Sequence, residues 1–244
     1  MNYVLILGAG SDVARPLAFL YAKNGYNIYL ASRSYDQLVR DAKDINIRYH
    51  VDAQAFKFDA ADIASHKSFY ESLPHKPIGV ICLAGTLGDQ QKSEKDFSEA
   101  ENVIFANYAG LVSIIHIIAE DFENRKEGFI VGVSSVAGER GRKSNYVYAS
   151  AKAGFTTFLS GLRNRLFTSN VHVLTVHPGF ISTKMIAGRN TPAIITATAE
   201  EVAHDIFKAQ QSGKDFAYSK WFWRYIMLAF TIIPESIAKK LDLK

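Results

Sequence analysis

The chain has 244 residues, 48% of them apolar and 21% charged, the balance of an ordinary globular protein that can bury one sizeable core without a second domain. Its net charge of +4 and pI near 9.0 come from 28 Lys and Arg residues scattered along the chain, with no run of five or six like charges. This argues against a nucleic-acid partner and leaves a weak steering field for anionic ligands. No uninterrupted apolar run reaches the roughly 18 residues of a bilayer span; the longest, 221–233, is broken by Arg224.

Apolar runs of strand length alternate with longer helical patterns, the signature of β-α-β units and a parallel sheet. The first strand, 3–7, begins almost at once and leaves no room for a basic segment and cleavage site, so the expectation is a cytoplasmic chain. A turn bearing Gly8, Gly10, Ser11, Asp12 and Val13 follows and opens a helix over 11–24, which Gly25 stops. In that setting glycines let a backbone approach a pyrophosphate at a helix N-terminus.

The second strand, 27–31, runs into Ser32 and Arg33. An acid at this point would accept hydrogen bonds from the ribose 2′-hydroxyl of NAD, whereas an Arg can pair with the 2′-phosphate of NADP. The reading favours NADP(H), with NAD(H) as the alternative. Further strands are expected at 55–58, 79–83, 129–134, 171–176 and 215–218. Cys82, the lone cysteine, has no disulfide partner and reads as core in a reducing compartment. The stretch 187–198 reads as a mobile substrate loop, and Thr198 with Glu201 as the capping box of a late helix. Right-handed connections then give a doubly wound α/β sheet with ligand sites at the carboxyl ends of its strands.

Chemistry concentrates between residues 134 and 152. Tyr148 and Lys152 are four residues apart, which on a helix puts phenol and ammonium on one face. A free phenol titrates near pH 10, and a neighbouring cation that favours phenolate can bring it into working range. Ser135, 13 residues before the tyrosine, can hydrogen-bond the same substrate oxygen. The trio describes carbonyl/alcohol interconversion with Tyr148 as general acid/base. The seven histidines show no ligand spacing such as H-E-x-x-H, so no metal site is expected.

With these motifs in this order, from Tyr3 to about Thr183, the chain resembles the short-chain dehydrogenase/reductase family over three-quarters of its length. The resemblance implies a single-domain Rossmann-like fold, a nicotinamide cofactor, a small-molecule carbonyl or alcohol substrate and a homo-oligomer. It implies that Asn107 holds a water for proton relay, completing a set with Ser135, Tyr148 and Lys152. It also implies that Lys152 holds the nicotinamide ribose and that Asp59, with Ala60 beside it, meets the adenine. Ala84 and Gly85 carry over from the family's N-N-A-G, while Pro178, Gly179, Ile181 and Thr183 match positions near the carboxamide. Within G-x-x-x-G-x-G, Gly8 is kept, but Asp12 and Ala14 replace the later glycines. Asp12 is unwelcome near a pyrophosphate unless its carboxylate turns towards the helix amides.

The tail, a helical extension expected over 219–244, departs from common members. Its aromatic stripe 221–233 is followed by Lys239, Lys240 and Lys244 and is loosely similar to relatives that reduce keto-sugars on polyprenyl phosphate. The stripe could lie on a membrane surface, line a groove for a lipid-linked substrate, or make a subunit contact. Two rival functions remain. A sugar epimerase shares Ser and Y-x-x-x-K but is generally longer and has glycine where Ser11 stands; a non-catalytic nucleotide sensor would suit the altered turn but gives no reason for the catalytic set.

Overall fold

The computed structural model describes residues 2–188 and 191–241. Residues 189–190 of the expected substrate loop and 242–244 of the tail, Lys244 included, lie outside the described residues. In chain order the elements are β1 (Tyr3–Leu7), α1 (Ala14–Lys23), β2 (Asn27–Ser32), α2 (Tyr35–Tyr49), β3 (Ala53–Lys57), α3 (His66–Glu71), β4 (Gly79–Cys82), α4 (Gln90–Ser93), α5 (Phe97–Ile104), α6 (Gly110–Arg125), β5 (Gly128–Val133), α7 (Tyr146–Leu166), β6 (Val171–Pro178), β7 (Phe180–Ile181), β8 (Thr196–Ala197), α8 (Ala199–Gln211), β9 (Phe216–Ser219), α9 (Trp223–Thr231) and α10 (Glu235–Ala238).

Seven strands form one parallel sheet in the order β3-β2-β1-β4-β5-β6-β9. The chain winds outward from β1 through β2 to β3, then returns to β4 on the other side, so the order reverses beside β1. That reversal opens a crevice at the strand carboxyl ends. Strand β1 is buried on both faces, as a central parallel strand must be, and its alternation divides the core. Val4 and Ile6 join Leu17, Tyr21, Leu38 and Ile206 under α1, α2 and α8. Tyr3, Leu5 and Leu7 join Phe69, Ile115, Phe122 and Phe155 under α3, α6 and α7.

The continuous helical stretch Phe97–Arg125 reaches a mean hydropathy of 1.7 over an 18-residue window, enough by length and composition to cross a membrane. Its apolar residues Leu111, Ile114, Ile115 and Ile118 are instead spent on the core against the sheet. The loop expected over 187–198 is more ordered at its end than the sequence suggests. Thr196 and Ala197 form β8, which pairs in parallel with β7, and Thr198 caps α8 with Glu201 as a reciprocal capping box. Two-residue strands carry too little periodicity to be read from sequence. In the tail, Trp223 and Met227 are buried against Val136 and Phe180, while Trp221, Tyr225, Leu228 and Ile232 stay exposed.

Candidate active site

A cleft of about 640 Å³ lies over the carboxyl ends of β1, β2, β4, β5 and β6. At one end are Ser32 and Arg33, then Asp59 and Ala60; the turn residues Gly8, Gly10, Ser11, Asp12 and Val13 form its middle, with Ala84 and Gly85 opposite. Asn107, Tyr148, Lys152, Pro178, Ile181 and Thr183 close the other end. Two expected residues are not on its wall. Ser135 sits beside it, buried after β5, and Gly179 faces away: a Cβ there would lie 2.0 Å from the Trp223 ring. The packing of the tail helix on Gly179 thus accounts for its lack of a side chain.

Gly8 is required on two counts. Its φ is +81°, and a Cβ would lie 2.3 Å from the Ala84 nitrogen, so the β1 turn touches the β4 turn backbone to backbone. The amides of Gly8 and Ala9 both donate to the Ala31 carbonyl, fixing the turn to the end of β2. Asp12 does not turn to the α1 amides. Its Oδ2 accepts from the Lys184 amide at 2.8 Å, across the cleft. At the other end Asp59 is held by its carbonyl, which accepts from the buried His66 ring at 3.2 Å, while its Oδ1 accepts from the Ala61 amide.

The helix α7 carries Tyr148 and Lys152 on one face, with Lys152 Nζ 5.8 Å from the centre of the tyrosine ring. Lys152 is buried at 4% exposure and donates to the Val133 carbonyl at 3.1 Å. Burial draws its pKa down to about 8, with Cys82 opposing slightly. Burial likewise raises the Tyr148 phenol, and its side-chain hydrogen bond with Ser135 opposes that rise. In the chain alone, then, desolvation outweighs the Ser135 hydrogen bond, and the phenol lies above its ordinary value rather than below it as the sequence predicts.

Asn107 sits in a π-helical turn, Phe105–Ala109, between α5 and α6, an irregularity that sequence periodicity does not reveal. Its Nδ2 donates to the carbonyls of Thr86 and Val103, at 2.7 and 2.8 Å, which aims Oδ1 into the cleft with no partner among the described residues. A Cβ on Gly85 would lie 2.5 Å from that oxygen and 3.4 Å from Lys152 Nζ. Both polar atoms therefore border the space that Gly85 leaves free. A second chain of contacts braces α7 from behind: Ser134 Oγ donates to the Lys152 carbonyl, Thr156 Oγ1 donates to Ser134 Oγ, and His177 lies between Thr156 and Glu139.

Sequence reading missed Ser34, Thr86 and Lys184 on the cleft wall. All three directly follow expected residues, Arg33, Gly85 and Thr183, and adjacency is the available signal; the contact of Thr86 is made by its carbonyl, which no side-chain pattern marks. An adjoining recess of about 580 Å³ at the Arg33 end is lined by Arg33, Ser34, Tyr35, Asp36, Gln37 and Lys57. The cleft suits an elongated dinucleotide: glycines where backbone approaches closely, bases Arg33 and Lys57 at one end, and an unpartnered carbonyl oxygen with a buried ammonium at the other.

The family model described as short chain dehydrogenase matches residues 2–193. An uncharacterized oxidoreductase of Mycobacterium tuberculosis is 35% identical over 241 residues, covering 98% of this chain and 96% of that protein. An NADP-dependent 3-hydroxy acid dehydrogenase of Schizosaccharomyces pombe is 27% identical over 74% of this chain and 72% of its own length. Among solved structures, a short-chain dehydrogenase from Sphingobium yanoikuyae in complex with NADPH superposes with a TM-score of 0.83 at 20% identity, over 97% of this chain and 98% of that one. The matched length, the fold and the order of the motifs agree: the chain belongs to the short-chain dehydrogenase family of oxidoreductases.

Proposed function

We propose that this oxidoreductase interconverts a carbonyl and a secondary alcohol, with Tyr148 as general acid/base. The observation that carries the reading is one cleft wall on which Tyr148, Lys152 and the free Oδ1 of Asn107 converge beside Ser135. When bound, the nicotinamide cofactor supplies or accepts the hydride. Tyr148 gives its proton to the substrate oxygen during reduction and takes it back during oxidation. Ser135 donates a hydrogen bond to the same oxygen and holds the phenol in place. Lys152 stabilises phenolate and holds the cofactor ribose, and Asn107 Oδ1 anchors a water that returns protons to the lysine. Purified protein should consume NADPH with at least one member of a panel of aldehydes and ketones. Cofactor binding with no turnover on any carbonyl would favour the nucleotide-sensing alternative.

NADPH is the favoured cofactor. Strand β2 ends in Ser32 rather than an acid, and Arg33 and Lys57 line the recess beyond it, where a 2′-phosphate gains charge-assisted hydrogen bonds. The S. pombe relative is NADP-dependent by name, and the Sphingobium structure is a complex with NADPH.

The tail supports contact with an anionic lipid surface and a substrate carrying an apolar, lipid-linked portion. Trp221, Tyr225, Leu228 and Ile232 form one exposed stripe, and the opposite face brings Trp223 and Met227 against Val136, next to Ser135. Lys220 is paired with Glu201 at 3.8 Å and Glu235 with Arg140 at 2.9 Å, which leaves Arg224, Lys239 and Lys240 as the exposed cations along the stripe. A symmetric contact between two copies would set this basic face against itself, whereas anionic headgroups complement it. The protein should co-sediment with vesicles containing phosphatidylglycerol and not with pure phosphatidylcholine. Failure to bind either vesicle, together with a dimer broken by Leu228→Asp, would contradict the membrane reading.

A further inference from the structure

We infer that Asp12 is a built-in competitor of the cofactor's pyrophosphate, clasping the segment after β7 across the cleft until the nucleotide displaces it. The inference rests on the cleft being the dinucleotide site, and it concerns a residue that replaces a turn glycine. Asp12 and Lys184 are 172 positions apart in sequence, yet Asp12 Oδ2 accepts the Lys184 amide at 2.8 Å. Oδ1 stands 3.8 Å from Lys184 Nζ, a side chain 93% exposed. The screened ion pair adds little, so the backbone hydrogen bond carries the clasp. Both residues line the cleft, Asp12 beside Ser11 and Val13 at the start of α1 and Lys184 beside Thr183. The first turn of α1 carries no acid of its own.

Asp12 stands just before the start of α1, so its carboxylate, although turned to Lys184, sets a negative charge beside the place where a phosphate would sit. In the free chain it satisfies an amide of the facing segment and draws that segment over the cleft. A diphosphate entering there meets Asp12's negative charge at close range and competes with it for the donors around it. Either the carboxylate swings away, releasing the Lys184 amide, or binding pays the repulsion. In both cases Asp12 weakens nucleotide binding and couples it to the position of the segment that carries Ile181, Thr183 and Lys184. The substitution that looks like a damaged glycine motif thus acts as a latch.

Two variants separate charge from hydrogen bonding: Asp12→Asn keeps an acceptor without the charge, and Asp12→Ala removes both. Titration calorimetry with NADPH should show about tenfold tighter binding for each, as removal of one like charge near a diphosphate implies, with the gain shrinking at high salt. Amide hydrogen exchange of the free protein should show residues 182–188 opening in Asp12→Ala but staying protected in Asp12→Asn. Unchanged or weaker NADPH binding in both variants would overturn the competition, and unchanged exchange in Asp12→Ala would overturn the clasp. If wild type binds neither NADPH nor NADH, it is the cofactor reading that fails, and the exchange arm still decides the clasp.

Discussion

Lys152 holds an ammonium where water is scarce, and that has a measurable consequence for stability. Its folded pKa of about 8 lies below the ordinary 10.5, so between those values the unfolded chain binds more protons and stability rises with pH. Below pH 8 both states are protonated and the full desolvation penalty, about 3 kcal/mol, remains. Lys152→Met should therefore stabilise the protein at pH 7 by about 1–3 kcal/mol while removing function, and should lack the wild type's gain between pH 8 and 9.5. Urea denaturation at these pH values checks it; a variant that is less stable, or that keeps the same slope, contradicts it. Arg33 permits a second test at this scale. Arg33→Ala should remove most of the preference for NADPH over NADH, a loss of about 1.5–3 kcal/mol in NADPH binding by calorimetry. Equal affinities in the unmodified protein would show that Arg33 serves only solvent. These residues were legible because spacing along one helix or adjacency to a strand end fixes their place. Lys184 and Trp223 were not, since their partners Asp12 and Gly179 lie far off in sequence.

Among the elements, those with local chemistry matched expectation. The Thr198–Glu201 capping box is made in both directions, and Gly25, at φ +82°, follows the end of α1. The β7–β8 pair and the π turn around Asn107 were illegible, the first for want of length and the second because one extra residue in a turn barely alters a helical pattern. The tail helix was legible as an apolar stripe, but which face would be buried depends on Val136 and Phe180, which sequence cannot place beside it. That division is testable with neighbouring tryptophans. Trp223 is 6% exposed and donates its Nε1–H to the Ile195 carbonyl at 3.1 Å, so Trp223→Ala should cost about 3–5 kcal/mol and loosen 193–197 to hydrogen exchange. Trp221, at 72% exposure, should change stability by about 0.5 kcal/mol or less when replaced by Ala. Equal losses for the two in chemical denaturation would contradict the assigned faces.

At the scale of the whole molecule, the alternation of strand and helix was enough to give a parallel, doubly wound sheet, because right-handed crossovers leave few other arrangements. The order of the strands fixes more than the fold. It sets the ends of β1, β2 and β4 side by side at the reversal, and this gathers Gly8, Arg33 and Gly85 from three separate turns into one cleft with α7 across its far end. The central claim concerns what that far end does, and Tyr148→Phe tests it most directly. The variant loses one hydroxyl and should keep NADPH affinity within about threefold of wild type, while turnover on an accepted carbonyl substrate falls by about 10²–10⁴-fold, the loss expected on removing a general acid. Turnover near wild type, with cofactor binding intact, would contradict the account.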